Sequence, residues 1–199
     1  MKLLFATKNP AKIKFYAKEL EKEGYEIVTI KDLEREVEII ENGINAIENA
    51  KIKAEAYFKV TGITTIGIDD NLFIEGLPDE VQPKTHVRRV NGQELTDDEM
   101  LEHYMKIVRD LGGEARVYWL HGIALCIDGK TKTFERRTNL IFKDKKSNKV
   151  SKGYPLDSIT WMPEYNKFLS ELNEEENNMR KSNVSGKQKA ITKFILENI

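Results

Sequence analysis

Cysteine, surplus charge and long apolar runs are all scarce in this chain, and each shortage excludes something. One cysteine, Cys126, among 199 residues leaves no internal disulfide and no cysteine-based zinc site. Its apolar neighbours read as core rather than as the setting of a nucleophile. The 32 basic and 33 acidic residues nearly cancel, to a net charge of -1. That balance offers no electrostatic case for nucleic acid or for a membrane surface, so any anion must be held by a local cluster. No stretch approaches a bilayer span. The opening MKLLFAT is too short an apolar run for a signal peptide, and a cytoplasmic location is the expectation. There is no G-x-S-x-G, no Walker loop and no G-x-G-x-x-G. His86, His103 and His121 are scattered without metal-ligand spacing.

What remains is the composition of a globular protein, 40% hydrophobic and 33% charged. The length suits a single domain, residues 1–199, built as two lobes. Residues 2–7 read as a short buried strand. Asn9 can cap the helix that follows, with Pro10 at its first position, and Gly24 ends it. Residues 25–30 read as a second strand, so strand, helix, strand implies an α/β fold. Residues 31–44 are loop-like and acidic. A long helix covers about 45–60, with Ala46, Ile47, Ala50, Ala54, Tyr57 and Phe58 on one face and Gly62 as its stop. Residues 63–68 form a third strand, expected to deliver Asp69 and Asp70 at its C-terminal end. Residues 78–95 are irregular. Thr96 and Glu99 make a capping box for a helix ending at Gly112-Gly113. Two β-rich runs flank Asp128-Gly129, a hairpin signal. After the basic loop 143–152 the chain is mixed, and a final helix reaches about 198, capped by Asn183 or Ser185.

Several groupings could carry chemistry. A helix N-terminus offers unpaired N–H groups and partial positive charge. Thr7, Asn9 and Lys12 surround the first such turn, which suits phosphate, although capping alone accounts for the same residues. Asp69 and Asp70 follow an apolar strand, where ligands of open α/β sheets collect. Carboxylates there suit Mg²⁺, or one of them a water; solvated turn acids are the plain alternative. Lys53 lies at the margin of the buried stripe of its helix. It is either a cation aimed at phosphate or a snorkelling side chain. Glu41, in the loop ahead of that helix, could complete a metal site with Asp70. The segment KSNVSGKQKA, 181–190, sets small residues and lysines at a helix start.

The order of these pieces resembles the inosine triphosphate pyrophosphatase family, enzymes that clear aberrant purine nucleoside triphosphates. The family's T-x-N-x-x-K turn is matched by Thr7, Asn9 and Lys12. Its E-N-A-x-x-K-A helix is matched by Glu48, Asn49, Ala50, Lys53 and Ala54. Its metal-loop glutamate falls on Glu41, its D-D-S-G-L on Asp69 to Phe73, and its substrate-side arginine on Arg89. The match runs over roughly residues 1–112. The departures lie elsewhere. The glycine of D-D-S-G is replaced by Leu72. F-G-Y-D-P appears as KGYPLD, keeping Gly153 and Tyr154, and S-H-R-G-K appears as NVSGK. Val184 and Ser185 thus stand where histidine and arginine contact the base in the family.

The resemblance implies a two-lobed α/β fold, a long mixed β-sheet flanked by helices with a central cleft, and a homodimer. It implies attack of water on the α-phosphorus of a nucleoside triphosphate, releasing the monophosphate and pyrophosphate. ITP, dITP and XTP are the implied substrates, with the base end rebuilt. Thr7, Asn9, Lys12 and Lys53 would hold the triphosphate. Glu41 and Asp70 would hold Mg²⁺ with support from Asp69, and Asp70 could also orient the water. Arg89, Tyr154 and Lys187 would contact substrate. The alternative is a nucleotide-binding sensor that has lost turnover.

Overall fold

The computed structural model describes residues 1–34, 37–151, 153–183 and 186–199, with the side chains of residue 11 and of 181–189 outside it. Nine strands and five helices follow in the order β1 (Lys2–Ala6), α1 (Pro10–Lys22), β2 (Glu26–Thr29), α2 (Ala46–Thr61), β3 (Thr65–Ile74), β4 (Arg89–Val90), β5 (Gln93–Glu94), α3 (Asp97–Asp110), β6 (Glu114–Ile127), β7 (Lys130–Lys143), β8 (Thr160–Met162), β9 (Lys167–Phe168), α4 (Glu174–Asn183) and α5 (Gly186–Leu196). Seven strands form one long mixed sheet in the order β2-β1-β3-β6-β7-β8-β9, and β4 pairs with β5 in a small hairpin. The chain divides into two compact units. The first holds residues 1–70, 120–136 and 184–199; the second holds 71–119 and 137–183. No helix among the described residues is long and apolar enough to cross a membrane.

The first unit is built on parallel pairing. β1 runs parallel to β2, Lys2 opposite Glu26 through Phe5 opposite Thr29. On its other side β1 runs parallel to β3, but only from Leu4–Thr65 to Ala6–Gly67. One face of the sheet carries Leu3, Phe5, Ile66, Ile68, Ile123 and Leu125, packed with Tyr16 and Leu20 of α1 and Ile191 and Ile195 of α5. The other face takes α2, through Ala50 and Ala54 against Ala124 and Cys126. Two glycines make that second contact close. A Cβ at Gly67 would lie 1.9 Å from the Ala50 carbonyl oxygen, and one at Gly122 2.5 Å from the Ala46 carbonyl carbon. Side chains at either place would lift α2 off the sheet. The helix itself is well delimited. The Asn45 side chain accepts from the Glu48 N–H, and Gly62 closes the far end at φ 68°, its N–H reaching the Phe58 carbonyl.

The second unit has its own core: Leu72, Ile74, Leu101, Tyr104, Val108 and Phe142 are all buried to within 1%. The Thr96–Glu99 capping box opens α3 as the sequence indicates. The Asp128–Gly129 turn of the first unit has both residues at positive φ, the pattern of a tight β-hairpin.

Two expectations are corrected. The third strand does not end before Asp69; it continues to Ile74, so Asp69 and Asp70 lie mid-strand. The reason is that β1 stops pairing at Gly67 while β6, on the other side of β3, carries the strand onward. The C-terminal region is two helices rather than one, and Asn183 ends α4 instead of capping α5. Ser185, the other expected cap, lies outside the described residues.

Candidate active site

Consecutive residues of a strand face opposite ways, and this decides how Asp69 and Asp70 are used. Asp69 points to the α2 side, where its two oxygens receive Asn49 Nδ2 and Lys53 Nζ, both at 3.1 Å. Lys53 also meets Glu41 at 2.7 Å. Asp70 points to the α1 side. One oxygen meets Lys12 Nζ at 2.8 Å and the other His121 Nδ1 at 2.6 Å. Each acid is thus held by a lysine delivered from a helix packed on its own face of the sheet.

The local folding that places these groups is readable link by link. Asn49 and Lys53 are one helical turn apart on the buried side of α2. Asn49 is 2% exposed and acts in two directions, since its carbonyl oxygen accepts the Gly43 N–H at 2.8 Å. That contact ties the loop carrying Glu41 to the helix. The Glu48 carboxylate adds a bond to the Ile44 N–H at 2.9 Å. On the other face, the Asn9 N–H donates to Thr7 Oγ1 at 3.2 Å, and the Asn9 carbonyl receives the Ile13 N–H at 3.4 Å. Lys12 therefore stands in the first turn of α1, beside the unpaired N–H groups of its start.

Burying charge is costly unless it is paired, and here it is paired. Lys53 is 8% exposed. Burial pulls the Lys12 ammonium down, but the charges of Asp70, Asp69 and Glu41, with the hydrogen bond to Asp70, outweigh it and hold Lys12 above its ordinary 10.5. Asp69 and Glu41 thus act on Lys12 as well as on Lys53, so the two faces share one electrostatic field.

The arrangement joins Lys12, Glu41, Lys53, Asp69 and Asp70 of the sequence expectation, with Thr7 and Asn9 in the adjoining turn. Arg89 is an exposed residue of β4, and Tyr154, 37% exposed, precedes a 3-10 turn; both belong to the second unit. Lys187 is in α5 and its side chain, like Val184 and Ser185, lies outside what is described. Asn49 and His121 are additions. Asn49 could have been found from its spacing to Lys53. His121 is 51 residues from Asp70 along the chain, and no local pattern marks it. A cavity of about 460 Å³ beside the turn, walled by Thr7, Lys8, Ile13, Ile30, Leu33 and Tyr57 among others, includes neither lysine nor carboxylate of the cluster. The charge, not this hollow, defines the site.

Glu41, Asp69 and Asp70 supply only oxygen donors, the set a hard divalent cation takes. Among the described residues no three His, Cys, Asp or Glu side chains are already gathered as a metal cluster.

Comparison with known proteins agrees with this geometry. A model of the Ham1 family matches residues 3–196. The chain belongs to the Ham1 family. Two curated relatives are dITP/XTP pyrophosphatases. That of Geobacillus kaustophilus is 28% identical over 197 residues, 96% of this chain and 91% of the relative. That of Halalkalibacterium halodurans is 29% identical over 177 residues, 88% and 89%. Among solved structures, the nucleoside-triphosphatase / dITP/XTP pyrophosphatase of Mycobacterium abscessus superposes with a TM-score of 0.73 at 24% identity, covering 98% of each chain. The Staphylococcus aureus Ham1 protein gives 0.71 at 23%, covering 94% of this chain and 99% of its own. These two support the Ham1 fold.

Proposed function

We propose that the protein is a nucleoside triphosphate pyrophosphohydrolase acting on non-standard purine nucleotides, ITP, dITP and XTP, and releasing the monophosphate and pyrophosphate. The relatives named dITP/XTP pyrophosphatase support the reaction class. The observation that carries it to this chain is the pairing of Lys12 with Asp70 and of Lys53 with Asp69 and Glu41. Two ammonium groups on opposite faces of β3 stand ready to exchange carboxylate for phosphate.

Thr7, Asn9 and the first N–H groups of α1 bind phosphate oxygens by hydrogen bonds. Lys12 and Lys53 neutralise the polyphosphate, and their transfer to it frees oxygens of Asp70, Asp69 and Glu41. Glu41 and Asp70, with Asp69 beside them, would hold Mg²⁺, which when bound draws charge from the phosphate oxygens. Asp70 Oδ2, relieved of Lys12, accepts a hydrogen bond from the attacking water and orients it toward the α-phosphorus. Phosphoryl transfer of this kind depends on positioning and charge neutralisation, for which lysines and carboxylates suffice. Arg89, Tyr154 and Lys187 are assigned to the substrate's base and sugar end. A homodimer and a cytoplasmic setting belong to the same reading, with light scattering and cell fractionation as their checks.

Pyrophosphate release with Mg²⁺ across ITP, dITP, XTP, ATP, GTP and CTP tests the proposal. ITP, dITP and XTP should be preferred, and Asp70→Asn should lower kcat by about 10²–10³-fold, the scale of removing one group aimed at the transition state. Nucleotide binding without release, unchanged by Asp70→Asn, would instead mark a sensor.

A further inference from the structure

We infer that His121 is a positioning residue for the reaction, fixing the Asp70 carboxylate from the β6 side so that its other oxygen is aimed for chemistry. The inference rests on the proposed role of Asp70. Its basis is a contact at 2.6 Å between His121 Nδ1 and Asp70 Oδ1. An ionised carboxylate can only accept, so Nδ1 carries the hydrogen. The imidazole is 6% exposed and shares a face of β6 with Ile123 and Leu125, the core residues packed on α1 and α5. The next residue, Gly122, is pressed against the start of α2, so the backbone at this point of β6 has little freedom.

Asp70 is gripped from two elements of unlike character. Lys12 is a flexible chain from a helix start, and its charge is what a phosphate will compete for. His121 is a rigid ring on a central strand, and its bond to Oδ1 survives that competition. Lys12 thus sets the charge of the empty site, while His121 sets the plane of the carboxylate in both states. Partners of this indirect kind, when removed, typically cost about 10–100-fold in activity. A group that does not touch substrate should act on kcat rather than KM.

The test compares His121→Phe, which keeps the ring volume and removes the donor, with His121→Asn, whose Nδ2–H can take the place of Nδ1–H. With ITP and Mg²⁺, His121→Phe should lower kcat about 10–100-fold with KM unchanged within about twofold, and His121→Asn should recover most of the loss. Equal kcat in all three proteins overturns the inference. So does a loss of kcat that His121→Asn fails to recover while its melting temperature matches the wild type. Nitrogen NMR of the unmodified protein gives a check that needs no variant: the imidazole should be protonated at Nδ1, and a bare Nδ1 with hydrogen only on Nε2 overturns the proposal. If Asp70→Asn also leaves turnover intact, the reading of Asp70 fails first. If Asp70→Asn is inactive and His121→Phe is not, only the inference about His121 fails.

Discussion

The two compact units spend their charged residues differently. In the first, Lys53, Asp69, Lys12 and Asp70 pair with side-chain exposures between 11% and 22%. In the second, pairs such as Lys106–Asp110 and Lys84–Asp79 leave one or both partners far more open. The second unit's aromatic and basic contacts, Phe73 stacked on Tyr118 and Arg137 set over the Tyr118 ring, need no buried ion. Surface pairs contribute little to stability, and buried ones are kept at a cost. Charge concentrated inside one unit therefore marks where the fold has accepted that cost for chemistry. The glycines divide in the same way. Gly67 and Gly122 of the first unit exist for space beneath a helix, whereas Gly92, Gly112 and Gly153 of the second sit in turns at positive φ with nothing within 4 Å.

Lys53→Met should break the contrast most severely. It strips Asp69 and Glu41 of their shared ammonium, and removal of one partner from a buried pair costs about 3–5 kcal/mol. Lys106→Ala, its counterpart in the second unit, should cost less than about 0.5 kcal/mol. Urea unfolding measures both, and a Lys53→Met cost no larger than that of Lys106→Ala would remove the distinction between the units. Gly67→Ala comes next. Overpacking of this kind costs about 1–3 kcal/mol, and because α2 carries Lys53, pyrophosphate release should fall with it. Gly92→Ala, in open space, should lose only about 1 kcal/mol through its left-handed backbone and leave turnover as it was.

The smallest and most even effect should come from alkali. Lys12 is held above 10.5 in the folded protein by its acidic neighbours. Its contribution is complete below the unfolded value and is lost as pH climbs from about 10.5 through the raised folded value. Tyr104 of the second unit is pushed up from 10.0 by burial, so folding holds it as the neutral phenol, and that contribution also declines above pH 10 as the unfolded chain ionises. Stability measured between pH 9 and 11.5 should fall along two limbs. Lys12→Met should flatten one and Tyr104→Phe the other. An alkaline slope unchanged in both variants would show that neither group governs it.

Much of the frame was legible because it is local. The turn at residues 7–12, the helix between Asn45 and Gly62, the capping box at Thr96 and the Asp128–Gly129 hairpin each announce themselves within a few residues. Helix α4 did not, since EEENNMRKSN lacks an apolar stripe. Its signal was a reciprocal cap, Asn173 and Glu176 exchanging bonds of 2.8 and 2.9 Å. The site was legible as a set of residue types but not as a geometry. Pattern alone suggested that Asp69 and Asp70 ended a strand as neighbours. The length of β3 depends on β6, nearly fifty positions away, and no nearby residue reports it. His121 escaped notice for the same reason.

One peptide bond separates the two acids that answer to Lys12 and Lys53. A lineage cannot retune either acid by sliding the strand without displacing the other, because a single inserted residue would turn one of them around. The opposed pair is inherited as a unit, and an insertion or bulge between the two aspartates in a descendant would be the clearest sign that the ancestral chemistry had been abandoned.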